Sequence, residues 1–171
     1  MIELYMDKSV FSVYEEFYVR DRNGKKRYRI TGMPLSLNKK IIICDENSHL
    51  VSWVEKPPLS LSKDTYDIYV HGKKQAVIHA RMFQIFPWQR HRVSKVNWEI
   101  NGSIFEHNFT LTRGFSEIAS VHRKLMSFGD SYELRIRNPE NELLVLAVTV
   151  ALNAIEADHR ITRNLASGKS R

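Results

Sequence analysis

The chain has 171 residues, 26 lysines and arginines against 19 acids, a net charge of +7 and a single cysteine, Cys44. That length suits one domain with a core of its own, and one cysteine excludes an intrachain disulfide and fits a reducing compartment. The excess of cations points toward an anionic partner without naming it.

The N-terminal residues Met1-Ile2-Glu3-Leu4-Tyr5 lack the basic leader and apolar run of a secretory signal, so a cytoplasmic protein is expected. Ile2, Leu4 and Met6 then alternate with polar neighbours, the period of a strand with one face in a core. After Phe17-Tyr18-Val19-Arg20-Asp21, the turn Arg22-Asn23-Gly24-Lys25 carries the Asn-Gly pair favoured by a type I′ hairpin. Gly32-Met33-Pro34-Leu35-Ser36-Leu37 has a near echo in Lys56-Pro57-Pro58-Leu59-Ser60-Leu61, each ahead of a strand. Ile41-Ile42-Ile43 makes a strand that ends at Cys44, expected to pack rather than react, and Asp45-Glu46-Asn47-Ser48 reverses the chain.

Tyr66, Ile68 and Val70 repeat the alternation, and His71-Gly72-Lys73 reads as another reversal. A polar loop with Arg90, His91, Arg92 and Lys95 follows Phe86-Pro87-Trp88. Trp98 and Ile100 mark the next strand, and Ile100-Asn101-Gly102-Ser103 supplies a second Asn-Gly turn. Phe105-Glu106-His107-Asn108-Phe109-Thr110-Leu111 alternates most clearly, with Phe105, Phe109 and Leu111 on one side. Trp53 and Trp98, both inside strands, are expected in the core, and His107 reads as a surface or hydrogen-bonded histidine. Strands around residues 116–125 and 132–137 flank a turn at Phe128-Gly129-Asp130-Ser131. Successive antiparallel hairpins are predicted.

The pattern changes after Arg137. Asn138 is placed as an N-cap, Pro139 suits the first helical position, and Glu140 and Glu142 face the positive end of the helix dipole. Residues 143–155 are almost wholly apolar, interrupted by Thr149 and Asn153, and fall short of the roughly 20 residues of a membrane span. The rival assignment makes residues 143–150 a central strand, since Val145, Val148 and Val150 favour one. The start signal and the length favour a helix. A helix apolar on every side must be buried on every side, which a flat sheet cannot do and a closed antiparallel β-barrel can. A single domain over residues 1–160 is expected, with a frayed tail over 161–171.

No catalytic constellation stands out. The seven histidines form no metal-binding frame, and neither a nucleophile elbow nor a phosphate loop nor a dinucleotide fingerprint occurs. A non-enzymatic protein without a cofactor is expected. The functional signal is the basic clusters: Lys25, Lys26, Arg27 and Arg29 at one hairpin, Lys39 and Lys40 ahead of Ile41, Lys73 and Lys74 on a turn, and Arg90, Arg92 and Lys95 in the loop after Trp88. Converging on one barrel face, they would bind phosphates, first those of an anionic phospholipid surface. Nucleic acid and a protein partner are the alternatives, although no ribonucleoprotein motif, helix-turn-helix or zinc finger is present.

In the order of its segments the chain resembles the LURP-one-related family of the Tubby-like superfamily, from about residue 3 to 160. The resemblance is carried by Phe17-Tyr18-Val19-Arg20-Asp21 with its Asn-Gly turn, the segment from Gly32 to Leu37, and Thr65-Tyr66-Asp67-Ile68-Tyr69. It is strongest in Ser127-Phe128-Gly129-Asp130-Ser131-Tyr132-Glu133-Leu134, leading into Glu142-Leu143-Leu144-Val145-Leu146-Ala147. It implies a barrel of about twelve strands around a central hydrophobic C-terminal helix. Relatives in the superfamily bind phosphoinositides or are associated with lipid movement, but no lipid-binding position matches residue by residue. The chain has neither a palmitoylation-like cysteine cluster nor a terminal span, which argues against a scramblase mechanism.

Overall fold

Alternate residues along the strands enter one shared core, and Leu4, Met6, Ile30, Ile43, Val54, Ile68, Ile78, Leu111 and Leu134 are wholly enclosed there. The computed structural model describes residues 1–7, 16–33, 39–57, 65–80, 91–126 and 129–168. Twelve strands lie within them: β1 (Ile2–Asp7), β2 (Glu16–Asp21), β3 (Lys26–Met33), β4 (Lys39–Asp45), β5 (Leu50–Lys56), β6 (Thr65–Val70), β7 (Lys73–His79), β8 (His91–Val93), β9 (Trp98–Ser103), β10 (Asn108–Arg113), β11 (Ser116–Met126) and β12 (Gly129–Ile136).

The strands form one sheet in the order β7-β6-β5-β4-β3-β2-β1-β12-β11-β10-β9-β8, every neighbour antiparallel. Its first and last strands meet through a bridge in which Ser94 N donates to Val77 O at 2.9 Å and Val77 N to Ser94 O at 3.4 Å. The sheet therefore comes round to a nearly closed barrel, which protects its edges. Because the strands run up and down, the reversals β2–β3, β4–β5, β6–β7, β8–β9 and β10–β11 share one end with the start of β1 and the end of β12. That end is the turn rim. Pro-Leu-Ser-Leu and most of its echo lie outside the described residues, as do Ser127 and Phe128.

The helix begins as its signals predict. The Asn138 side chain accepts a hydrogen bond from Glu140 N at 3.0 Å, a short 3-10 turn follows over Pro139–Asn141, and α1 spans Glu142–Ala166. It enters at the turn rim and runs down the barrel, with residues 145–157 all buried. Thr149 Oγ1 donates to Val145 O at 2.9 Å, which satisfies one polar group inside the apolar run. The helix continues to Ala166: once nucleated, each added residue gains a backbone bond even where side chains such as those of Thr162 and Arg163 face water.

Three local expectations are corrected. Asn101-Gly102 is not a turn but lies within β9, where Gly102 pairs with Phe109. A Cβ on Gly102 would stand 2.5 Å from Asn108 O and 2.9 Å from Phe109 Cα, so the glycine serves close backbone approach. The reversal falls instead at residues 104–107, with His107 at φ 51° and Phe105 in the turn beside His159 of α1. At Asn23-Gly24 only Gly24 has positive φ (80°); Gly24 N donates to Asp21 O and Asp21 N to Lys25 O. The turn is thus a type I turn closed by a left-handed glycine, not type I′. Trp98 is wholly enclosed, whereas Trp53 lies on the outer face, stacked on Tyr69 with ring centroids 4.6 Å apart.

Candidate functional site

Two neighbouring hairpins on the turn rim are built alike. Asp21 Oδ1 accepts from Asn23 N and Lys25 N at 2.9 and 3.1 Å, and Asp45 Oδ1 accepts from Asn47 N and His49 N, both at 2.9 Å. Those backbone donors, His49 foremost, hold the Asp45 carboxyl below its ordinary range. Between the hairpins lies a cleft of about 240 Å³ lined by Lys26, Arg27, Arg29, Tyr18, Tyr28, Asp45, Glu46 and Ser48. Of the predicted cations Lys26 and Arg27 line it and Lys25 stands outside its lining, paired with Glu46, and acids and a ring answer all of them. Lys25 lies 2.7 Å from Glu46, Arg27 3.4 Å from Glu142 and Arg29 3.6 Å from Glu16, and Lys26 stands 3.7 Å over the Tyr18 ring. The cleft is charge-matched internally.

The other side of the rim differs. The Val77–Ser94 seam sets the turn before Lys73 beside the turn at residues 94–97, and the β9–β10 register sets the latter beside Gly114-Phe115. These three adjacent turns carry Lys73, Lys95 and Arg113; Arg22 lies farther round. All four are exposed, and none forms an ion pair among the described residues. Positive φ at His71 (47°), Gly72 (77°), Lys95 (74°) and Gly114 (57°) keeps these reversals tight. Sequence reading missed Arg113 and the fully exposed Phe115, because neither belongs to a run of like charge or a recognised turn pair, and it passed over Arg22 because that residue stands in the Asn23-Gly24 turn as a single cation outside the Lys25-Lys26-Arg27 run.

The remaining predicted residues do not join this group. Lys39 points into the opposite end of the barrel, where it pairs with Asp158 of α1; Lys56 Nζ lies 3.7 Å from the same carboxylate and the Tyr66 hydroxyl donates to it at 2.5 Å. Burial would raise the Asp158 carboxyl, but Lys39, Tyr66 and Lys56 outweigh it and hold it below its usual range. Lys39 is thus a structural ion pair, not a surface site: β4 alternation turns it inward and Lys40 outward. Lys40 stands 4.9 Å from the Trp53 ring, Lys74 binds Asp67 at 2.5 Å, and Arg92 lies 3.8 Å from Glu99. Arg90 and Trp88 lie outside the described residues. Among the described residues, no group of three or more His, Cys, Asp or Glu could hold a metal ion, and no helix is long and apolar enough to cross a membrane.

A nearly closed twelve-stranded antiparallel barrel threaded by one C-terminal helix defines a protein of the Tubby-like fold. Within that class the chain belongs to the LURP-one-related family, whose model matches residues 2–153. It is 30% identical over 155 residues to the uncharacterized protein YxjI of Bacillus subtilis (strain 168), covering 91% of this chain and 94% of that one. A crystal structure of an Arabidopsis thaliana protein shares the fold, with a TM-score of 0.57 at 14% identity over 89% of this chain and 91% of its own.

Proposed function

We propose that the chain is a binding protein without catalysis of its own, which recognises an anionic group, foremost phospholipid headgroups at the cytoplasmic face of a membrane. The observation that carries this reading is the arc of exposed cations Lys73, Lys95 and Arg113, whose charges no neighbouring acid answers among the described residues. Cations held on tight turns at the end of a rigid barrel are accessible to phosphates and lose little freedom on meeting them. The lumen supports the same reading, because α1 fills it with apolar side chains.

Cosedimentation with phosphatidylcholine vesicles, with and without phosphatidylserine, across a salt series and with duplex DNA as competitor tests this proposal. Binding should require the anionic lipid, weaken steeply as salt shortens the reach of the charges, and survive DNA. Absence of binding at low ionic strength would overturn it. Displacement by DNA would transfer the cationic arc to a nucleic-acid backbone.

A further inference from the structure

Single apolar side chains on a protein surface are ordinary, so their distribution is what carries information. Four large hydrophobic residues are strongly exposed among the described residues: Met1 (68%), Leu50 (51%), Phe115 (111%) and Ile161 (53%). Three of them, Met1, Leu50 and Phe115, lie at the turn rim. Ile161 lies on the part of α1 that emerges from the opposite end. Phe115 is the extreme case, for it sits at the tip of the β10–β11 hairpin, preceded by Gly114 at φ 57°, and makes no shielding contact. A phenylalanine held in water forgoes the favourable free energy that burial of its ring would return.

The three side chains stand on different strand ends around a ring, so they form no groove for a peptide or helix. A partner that meets them together must be broad and flat. It must also be anionic at the level of the turns beside Phe115, because Lys95 and Arg113 flank that residue and the acid next to it, Glu117, is paired with Arg137; farther round the rim Glu46 and Glu142 keep cations of their own, Asp21 is held by backbone donors and Glu140 is exposed. An anionic layer over an apolar one is the cross-section of an acidic lipid bilayer.

We infer that the turn rim is the membrane-facing end of the barrel, with Phe115 entering the acyl region and Arg113, Lys95 and Lys73 holding lipid phosphates beside it. The inference rests on the lipid reading above and adds its orientation and its inserted residue. The exposed last turns of α1 then point away from the bilayer.

The full chain and three variants, Phe115→Ser, Phe115→Trp and Ile161→Ser, are compared on phosphatidylcholine/phosphatidylserine vesicles. Phe115→Ser should bind about tenfold more weakly, equivalent to about 1.4 kcal/mol, with unchanged thermal melting because the side chain supports nothing in the fold. Phe115→Trp should bind as the wild type does and add blue-shifted emission that acyl-brominated lipids quench, measured against the native tryptophans. Ile161→Ser should bind normally. If Phe115→Ser binds like the wild type and Phe115→Trp gains no quenching, the inserted-rim inference fails while lipid binding stands. A loss caused by Ile161→Ser instead would reverse the orientation and overturn it equally. Failure of the wild type to bind at all removes the lipid reading itself.

Discussion

His107 Nε2 stands 3.1 Å from Glu156 Oε2 and joins the β9–β10 turn to the far end of the central helix. Arg160 holds the other carboxylate oxygen at 2.6 Å, and the His107 ring stacks on Tyr132 at 4.0 Å between centroids. Both members of the pair are buried. Replacing His107 by asparagine keeps a residue that tolerates its positive φ and removes the ring. Glu156 is then left buried with a mostly exposed arginine, and a loss of about 1–3 kcal/mol is expected. Urea unfolding should show a lower midpoint at unchanged slope.

The same end of the helix gives stability a defined acid dependence. Burial works to raise both Glu156 and Asp158, yet their cationic and hydrogen-bonding partners prevail and both carboxyls are held low in the folded state. A folded pKa below the unfolded one stabilises the protein fully above the unfolded value, and that contribution disappears as pH falls through the folded value. Melting temperature should therefore decline as pH drops below about 4.5. Asp158→Asn should melt lower at neutral pH and follow a flatter acid limb. An acid limb unchanged by this substitution would remove Asp158 from the account.

What the sequence conveyed and what it hid follow from the range of the signals. Alternation and the Asn138-Pro139 start are local, so the strands, the helix and hence the barrel could be read directly. Glu156, Asp158 and Arg160 look like the solvated end of a helix. Only the barrel wall, which brings Lys39, Lys56, Tyr66 and His107 to them, makes the two carboxylates interior. The period-two run from Phe105 to Leu111 misled because residues 104–107 form a turn whose side chains still reach the core. Basic pairs such as Lys39-Lys40 and Lys73-Lys74 look alike in sequence. Which cation keeps an acid and which stands free depends on cross-strand register, and adjacency of the turns at Lys73, Lys95 and Arg113 depends on barrel closure.

The two Asn-Gly pairs differ in a way that substitution can measure. Gly24 and Gly102 both have positive φ, but nothing lies within 4 Å of a Cβ built on Gly24, whereas Gly102 would clash with the backbone of Asn108 and Phe109. Gly24→Ala should cost about 1–2 kcal/mol from backbone strain alone. Gly102→Ala must also spread β9 from β10, so its loss in urea unfolding should be clearly larger. Equal losses would mean that the contact between the two strands yields easily.

The central helix makes the sharpest demand on stability. Leu146 has no exposure and Val150 only 3%, and each is surrounded by helix neighbours and the barrel wall. Leu146→Asp or Val150→Asp would place a charge there with no cation to answer it, a penalty of several kcal/mol against a total stability of about 5–15 kcal/mol for a domain. Neither variant should fold, as read by loss of cooperative melting and of near-ultraviolet dichroism. Lys73→Ala, on the exposed rim, should change stability by less than about 0.5 kcal/mol. The contrast separates the two parts of the molecule: the helix is required for the barrel to exist, while the rim cations can be removed from a folded protein and tested for binding alone. Near-normal melting of either aspartate variant would mean that the barrel can stand without its helix in place.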